Sequence, residues 1–354
     1  MSETPYHFLA LEGDGIGPEI MGATLAVLEA VQPLLSRAVD VSHKEIGFAA
    51  LAKTGTTMPD EVLEAAKAAD GIILGPVSHN EYPPVAEGGV NPSGILRKTL
   101  SLYANIRPAR NWPGCVSPIA KPIDVIVMRE NLEGFYADRN MFQGNAEFMP
   151  VEGVALSLRR ITTEASRNIA ESAFAWAAQR DQKKVTAIHK ANVMRLSDTL
   201  FLDAVREVAA RYPTISYDEM LVDSAAAMLV RTPEQFDVIV TTNMFGDILS
   251  DLAAELSGSL GLAGSLNAGE NHAAAQAQHG SAPQIAGQDI ANPCSLILSL
   301  AMLLSHLGES AAATRIETSI RHMLQDTTTR TADLGGSLST SAFTTHLCSL
   351  ISSD

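Results

Sequence analysis

Phe236-Asp237-Val238-Ile239-Val240-Thr241-Thr242-Asn243 runs into Met244-Phe245-Gly246-Asp247-Ile248-Leu249-Ser250-Asp251, and this stretch orients the reading of the chain. A short β-branched apolar run reads as a buried strand, and its continuation as the opening of a helix. Asp247 and Asp251 stand four residues apart, so on a helix they share one face. Like charges at that spacing repel unless a cation lies between them. Hard divalent cations prefer carboxylate oxygens. The pair therefore reads either as a cation site or as two solvated acids on an exposed turn. Thr241-Thr242-Asn243 before it and Gly258-Ser259-Leu260-Gly261 after it favour the site.

Outward from this stretch, short β-branched runs alternate with stretches rich in Ala, Leu, Glu and Arg. Strands are expected over 8–11, 71–74, 124–128, 184–188 and 236–241, and helices over 18–32, 60–69, 163–180, 197–211 and 293–307. Such alternation implies an α/β fold with much parallel pairing. Polar clusters come after four of the strands: Gly75-Pro76-Val77-Ser78, Arg129-Glu130-Asn131-Leu132-Glu133-Gly134, His189-Lys190-Ala191-Asn192, and the stretch quoted first. Open α/β sheets bind ligands at the carboxyl ends of their strands. Residues 138–153, with Gly144-Asn145 at mid-segment, read as a hairpin arm, either a dimerisation device or an ordinary surface hairpin. Residues 262–283, rich in Ala, Gly, Asn and Ser, read as a long loop.

The chain has 354 residues, 46% of them hydrophobic, enough for a sizeable core in two domains or one large α/β unit. A net charge of −15 argues against a nucleic-acid surface. An acidic enzyme can still hold an anion, but only through a local basic cluster. Cys115, Cys294 and Cys348 are odd in number and widely spaced, which suits a reducing compartment rather than a disulfide framework. No apolar run reaches the roughly 20 residues of a membrane helix, and Met1 to Ala10 lack a signal-peptide pattern. A soluble, cytoplasmic protein with no membrane partner is expected.

Gly13-Asp14-Gly15-Ile16-Gly17-Pro18-Glu19 has the look of a dinucleotide fingerprint without its spacing, so a tight strand-to-helix turn is the better reading. Arg97, Arg107 and Arg129 fall around the second and third strand ends. Arginine's planar fork grips carboxylates in a bidentate way. One alone reads as a surface ion pair; three in an acidic protein suggest a polyanionic small molecule. Lys190 is a candidate proton carrier and Tyr136 its partner acid, against the plainer reading of Lys190 as a surface charge at a helix start.

These motifs, with Tyr103-Ala104-Asn105-Ile106-Arg107-Pro108 and His279-Gly280-Ser281-Ala282-Pro283, run almost end to end. Together they resemble the β-decarboxylating dehydrogenases: the isocitrate, homoisocitrate, 3-isopropylmalate and tartrate dehydrogenases. The resemblance implies a two-domain fold with a mixed central sheet, not a classical Rossmann fold. One domain, over 1–102 and 258–354, would bind the cofactor; the other, over 103–257, would carry the metal site and an arm near 138–156. It implies that Ser93, Arg97, Arg107, Arg129 and Asn192 hold the substrate. Asp247 and Asp251 would bind Mg²⁺ or Mn²⁺ with Asp223 from the other subunit of a homodimer with shared active sites. Lys190, also crossing from that partner, would be the base for the hydroxyl, and Tyr136 would reprotonate the enolate. Ser78, His279, Gly280, Ser281, Ala282, Gln284 and Asn292 would bind NAD, with NADP as the variant.

The chain also departs from the family. Isopropylmalate enzymes resemble one another in carrying leucines where Ser93 and Gly94 stand, and isocitrate enzymes place serine and asparagine at the positions of Asn91 and Ser93. A malate with a polar or carboxylated 3-substituent is therefore expected, with 3-isopropylmalate or a tartrate or malate type as alternatives. After His-Gly-Ser-Ala-Pro, NAD-dependent relatives carry Asp and NADP-dependent isocitrate relatives Lys-Tyr; here stand Gln284-Ile285. Ala275-Gln276-Ala277-Gln278 replaces the family's Phe-Glu-Pro-Val. A catalytically silent regulatory subunit is the rival from another class, and such subunits typically lose a metal aspartate, the Tyr or the Lys. All are present here.

Overall fold

The computed structural model describes residues 4–136 and 146–353. Its strands are β1 (Tyr6–Leu11), β2 (Val39–Lys44), β3 (Gly71–Leu74), β4 (Ala104–Arg110), β5 (Asp124–Glu130), β6 (Glu147–Val151), β7 (Val154–Ser157), β8 (Lys184–His189), β9 (Ser216–Leu221), β10 (Val238–Thr241), β11 (Leu266–Ala268) and β12 (Ala273–Gln276). Its α-helices are α1 (Gly17–Val31), α2 (Gly47–Thr54), α3 (Asp60–Ala68), α4 (Pro92–Thr99), α5 (Thr163–Ala178), α6 (Arg195–Ala209), α7 (Val222–Arg231), α8 (Asn243–Ser257), α9 (Cys294–His306), α10 (Ser310–Met323) and α11 (Thr340–Ser352). The five strands and five helices expected from periodicity all form, with ends within two residues of those read from the sequence.

The chain divides into two compact units. The first comprises Met1–Leu100, Trp112–Val116 and Gly258–Asp354. Its strands run in the order β2-β1-β3-β12-β11, parallel except for the antiparallel β11–β12 pair. The run over Cys294 to Leu304 in α9 is buried on every side, and no charged residue interrupts it. Such a helix belongs inside a core rather than on its surface. Gly13, at φ +75°, and Gly15, at φ +60°, make the turn from β1 into α1. A Cβ on Gly15 would lie 2.0 Å from the Ser281 carbonyl oxygen, and one on Gly13 2.2 Å from that of Pro76. The glycines thus allow close backbone packing, as a tight strand-to-helix turn requires.

The second unit comprises Ser101–Asn111 and Ser117–Ser257. Its strands run β4-β5-β10-β8-β9, with β4 antiparallel to β5 and the rest parallel. Ile239 and Val127 of the sheet, Leu229 of α7 and Leu249 of α8 share one buried cluster. Strands β6 and β7 form a separate antiparallel pair whose residues are all exposed. It turns at Gly153 (φ +80°). The expected Gly144-Asn145 turn lies outside the described residues.

One expectation is overturned. Residues 262–283 are not one loop, since they contain β11 and β12. Alanine has low strand propensity, so Ala273-Ala274-Ala275 carries no strand signal. In the fold these alanines are at most 2% exposed, and β12 packs against α9. Small side chains suit a strand covered closely by a helix.

Candidate active site

In the second unit, β4 and β5 are antiparallel with Asn105 opposite Arg129 and Arg107 opposite Val127. Helix α8 begins at Asn243, two residues past the end of β10. Asp247 and Asp251 therefore lie one helical turn apart and near both arginines. Arg107 Nη1 donates to Asp247 Oδ1 at 3.2 Å, to Ser250 Oγ at 2.8 Å and to Asp251 Oδ1 at 3.3 Å. Its Nε donates to Asn105 Oδ1 at 2.5 Å. Arg129 pairs with Asp247 through Nη1, and its Nε and Nη2 donate to Asn243 Oδ1 at 3.1 and 2.8 Å. Gly246 makes room: a Cβ there would lie 2.7 Å from Arg129 Cβ.

Both arginines are buried. Burial, and then the charge of Arg129, lowers the Arg107 guanidinium to about 10, which leaves it charged at neutral pH. The aspartates are more open, with Asp247 and Asp251 side chains 36% and 57% exposed. Tyr136 Oη donates to Asp247 Oδ2 at 3.5 Å, and the Arg129 guanidinium lies 5.9 Å from the Tyr136 ring centre. The structure thus brings Arg107, Arg129, Tyr136, Asp247 and Asp251 into one cluster.

Lys190 and Asp223 pair with each other instead. Lys190 Nζ donates to Asp223 Oδ1 at 2.6 Å. Among the described residues no three His, Cys, Asp or Glu side chains form a metal-holding group, so one chain brings two of the three expected aspartates together. Asp247 and Asp251 still fit a hard cation: two carboxylates on one helix face, open to solvent. Asn192 is exposed on the loop after β8.

Three buried carboxylates act as supports; Glu130 and Glu133 lie in a polar cluster the sequence singled out, and Asp198 does not. Fully buried Asp198 accepts from the Lys190 backbone N–H at 2.6 Å and pairs with Arg159, which itself donates to Thr242 Oγ1 at 3.0 Å. Glu130 accepts from the N–H groups of Leu132 and Glu133 at 2.7 and 3.0 Å. Glu133 in turn accepts from Thr162 N–H and Oγ1 at 2.7 and 3.0 Å. These carboxylates shape the turn that leads to Tyr136. Burial pushes the Glu130 carboxyl up to about 7. Asp198 and Glu133 depend on partners distant in sequence, Arg159 and Thr162, whereas those of Glu130 are its near neighbours.

The first unit holds the other expected residues. Asn91 caps α4 by accepting from the Gly94 N–H at 3.1 Å, with Pro92 at the first helical position. Ser93 and Arg97 come next on that helix. His279, Gly280, Ala282 and Asn292 line a cavity of about 270 Å³ with Ile16, Ile285 and Asp333. His279 Nε2 is buried without a hydrogen-bond partner, and burial lowers the ring's pKa, which favours neutral imidazole. Asp333, absent from the expected set, accepts from Asn292 Nδ2 at 2.9 Å. Ser78 Oγ and Ser281 Oγ lie 2.7 Å apart, and buried Asp14 accepts from Ser78 N–H at 2.9 Å. Gln284 lies on the 3₁₀ turn Pro283–Ile285.

Comparison with known proteins gives the family. The family described as isocitrate/isopropylmalate dehydrogenase matches residues 7–347. The 3-isopropylmalate dehydrogenase of Archaeoglobus fulgidus is 41% identical over 345 residues, covering 97% of this chain and 98% of that protein. A mitochondrial NAD isocitrate dehydrogenase regulatory subunit from Dictyostelium discoideum is 43% identical over 339 residues, covering 95% and 89%. The crystal structure of isocitrate dehydrogenase from Methylococcus capsulatus matches with a TM-score of 0.88 at 38% identity, covering 98% of this chain and 99% of that one. Similar identities thus accompany different substrate names and a regulatory one. The matches decide the family and leave the substrate to the residues that would touch it: this chain belongs to the isocitrate/isopropylmalate dehydrogenase family.

Proposed function

We propose that this chain is an NAD-dependent enzyme that oxidatively decarboxylates a malate carrying a polar or carboxylated 3-substituent, with isocitrate and homoisocitrate as the leading substrates. The observation that carries the reading is the cluster of two buried arginines, two open aspartates and one tyrosine around β4, β5 and α8. Two buried guanidiniums whose partners are solvent-open carboxylates are poised to exchange them for substrate carboxylates. Asn105, Asn243 and Ser250 hold the forks in place, so little side-chain freedom is lost on binding.

Asp247 and Asp251 would hold Mg²⁺ or Mn²⁺, with Asp223 of a second subunit completing the set. When bound, the cation polarises the oxygen of the oxidised carbon and stabilises enolate charge. His279, Gly280, Ala282 and Asn292 would hold NAD, which would supply the hydride acceptor. Lys190, supplied by the partner subunit, takes the hydroxyl proton, and the Tyr136 hydroxyl returns a proton to carbon after CO₂ has left. Neutral Gln284 lacks the charge that would exclude a 2′-phosphate, so NADP is the weaker cofactor rather than an excluded one.

A homodimer agrees with the exposed apolar surface of the β6–β7 pair: Phe148, Met149, Val151, Val154 and Leu156 are all at least 44% exposed. No helix among the described residues is long and apolar enough to cross a membrane. The three cysteines are free thiols, which agrees with a cytoplasmic location.

The purified protein is assayed with NAD and Mn²⁺, with and without a chelator, on isocitrate, homoisocitrate, 3-isopropylmalate, tartrate and malate. Metal-dependent preference for isocitrate or homoisocitrate is expected. A clear preference for 3-isopropylmalate overturns the substrate assignment. Metal-dependent turnover of none of them points to a silent regulatory subunit.

A further inference from the structure

Lys190, the first residue past β8, has a partly open side chain, but both polar groups of its backbone are tied. Its carbonyl accepts from the Val193 and Met194 N–H groups at 2.9 Å each, which closes a turn ahead of α6. Its N–H donates to Asp198 Oδ2 at 2.6 Å. Asp198 stands in the first turn of α6 and is fully buried. Its other oxygen, Oδ1, pairs with Arg159 Nη1. Arg159 donates in turn to Ser197 Oγ at 2.7 Å and to Thr242 Oγ1 at 3.0 Å. A carboxylate this deep is costly unless it is paired and hydrogen-bonded. Asp198 is therefore fixed between a guanidinium on one side and the Lys190 backbone on the other. A carboxylate that accepts from a backbone N–H makes a charge-assisted bond, roughly twice as strong as a neutral one.

We propose that Asp198 is a positioning residue for the reaction: by gripping the Lys190 backbone it fixes where Lys190 Nζ is presented to the active site of a neighbouring subunit. The proposal rests on reading Lys190 as a base delivered across a homodimer. Lysine carries its nitrogen on a flexible four-carbon stem. Such a group reaches a fixed point only when its own backbone is fixed. Misplacing a reacting group by about 1 Å costs on the order of a hundredfold in rate. The assignment places Asp198 with Lys190 and Asp223, on the half of the site that a chain gives away. It does not place Asp198 with Asp247 and Asp251, on the half that a chain keeps.

The test uses Asp198→Asn, assayed on isocitrate with NAD and Mn²⁺. The amide has one oxygen, which turns to the Arg159 guanidinium and leaves its NH₂ against the Lys190 N–H. Asp198→Asn homodimers are expected to lose about ten- to a hundredfold in kcat, with the KM for NAD within about threefold of wild type. An unchanged kcat overturns the proposal. Subunit mixing then separates positioning from general damage. Asp198→Asn mixed with Asp247→Asn is expected to recover activity, because one site keeps both good halves. Asp198→Asn mixed with Asp223→Asn is expected to recover none above its parents, because the same half is damaged in both chains. Recovery with Asp223→Asn, or with neither partner, overturns the proposal when the control mixture of Asp223→Asn and Asp247→Asn is active. If that control is inactive, or wild type turns over no substrate, the reading of a shared active site has failed. Hydrogen exchange then tests Asp198 separately. Exchange over residues 189–194 is expected to be at least about tenfold faster in Asp198→Asn, while exchange over 243–257 changes less than about threefold. Unchanged exchange over 189–194, or equal acceleration of both segments, overturns the proposal. If Asp198→Asn does not fold, Asp198→Leu combined with Arg159→Met removes both buried charges and is held to the same exchange outcomes.

Discussion

Lys190 Nζ donates to Asp223 Oδ1 at 2.6 Å within one chain, so both residues are engaged with each other and not with Asp247 and Asp251. Helix α8 supplies two aspartates, while the loop after β8 and helix α7 supply the Lys190–Asp223 pair. The proposed homodimer with shared sites would use both halves, one from each subunit.

Complementation measures this directly. Asp223→Asn and Asp247→Asn homodimers are expected to be nearly inactive. Heterodimers formed from the two retain one intact site. Random mixing then recovers about a quarter of wild-type activity, because half the dimers are mixed and each has one working site. No recovery in verified heterodimers rules out the shared site.

The β6–β7 pair is the second handle on assembly. Replacing Met149, Val151 and Leu156 with Ser removes apolar surface that is 46–63% exposed in the single chain. Sedimentation at micromolar concentration is expected to show a shift toward monomer, with loss of activity. An unchanged dimer means that the pair is an ordinary surface hairpin.

Cofactor choice depends on charge at residue 284. Wild type is expected to prefer NAD to NADP by about tenfold in kcat/KM, and Gln284→Asp to widen that gap by repelling the 2′-phosphate. Initial rates with each cofactor decide it, and a strong NADP preference in wild type contradicts the reading.

Glu130 makes stability depend on pH. Its carboxyl is raised from 4.5 in the unfolded chain to about 7 by burial. Below pH 4.5 both states are protonated and the group is neutral in its effect. Between 4.5 and about 7 the unfolded chain ionises first, so stability falls as pH rises and stays lower above. Relative to Glu130→Gln, wild type is expected to lose about 3 kcal/mol across that window in urea titrations. A flat difference between the two proteins would show that Glu130 titrates normally.

Gly246→Ala tests the packing that aims Arg129. The new methyl meets Arg129 Cβ and Cγ at 2.7 Å and forces helix or strand to shift. A loss of about 1–3 kcal/mol in unfolding is expected, together with a raised KM for substrate. Unchanged stability and KM would mean that α8 and β5 part without consequence.

The arginines, the Asp247–Asp251 pair, the glycine turn and the five leading strands were legible because their signals are local. Period two or 3.6, a Gly-Asp-Gly turn and an i, i+4 spacing are set by backbone geometry within a few residues. Strands β11 and β12 were not legible, since Ala-rich segments become strands only when a helix such as α9 covers them. Gln276 was placed on the cofactor side by its neighbours in sequence, whereas its partner Ser93 lies 183 residues away.

The sequence alone determined the family, the alternating α/β elements and the residue types needed for the chemistry. Tertiary structure decided which of them meet: Arg107 and Arg129 on α8's aspartates, Lys190 on Asp223, and Gln276 beneath Ser93 and Arg97. The physical reason is range. Local propensities act over one or two turns of chain, while these hydrogen bonds join residues that only sheet order and helix packing bring together.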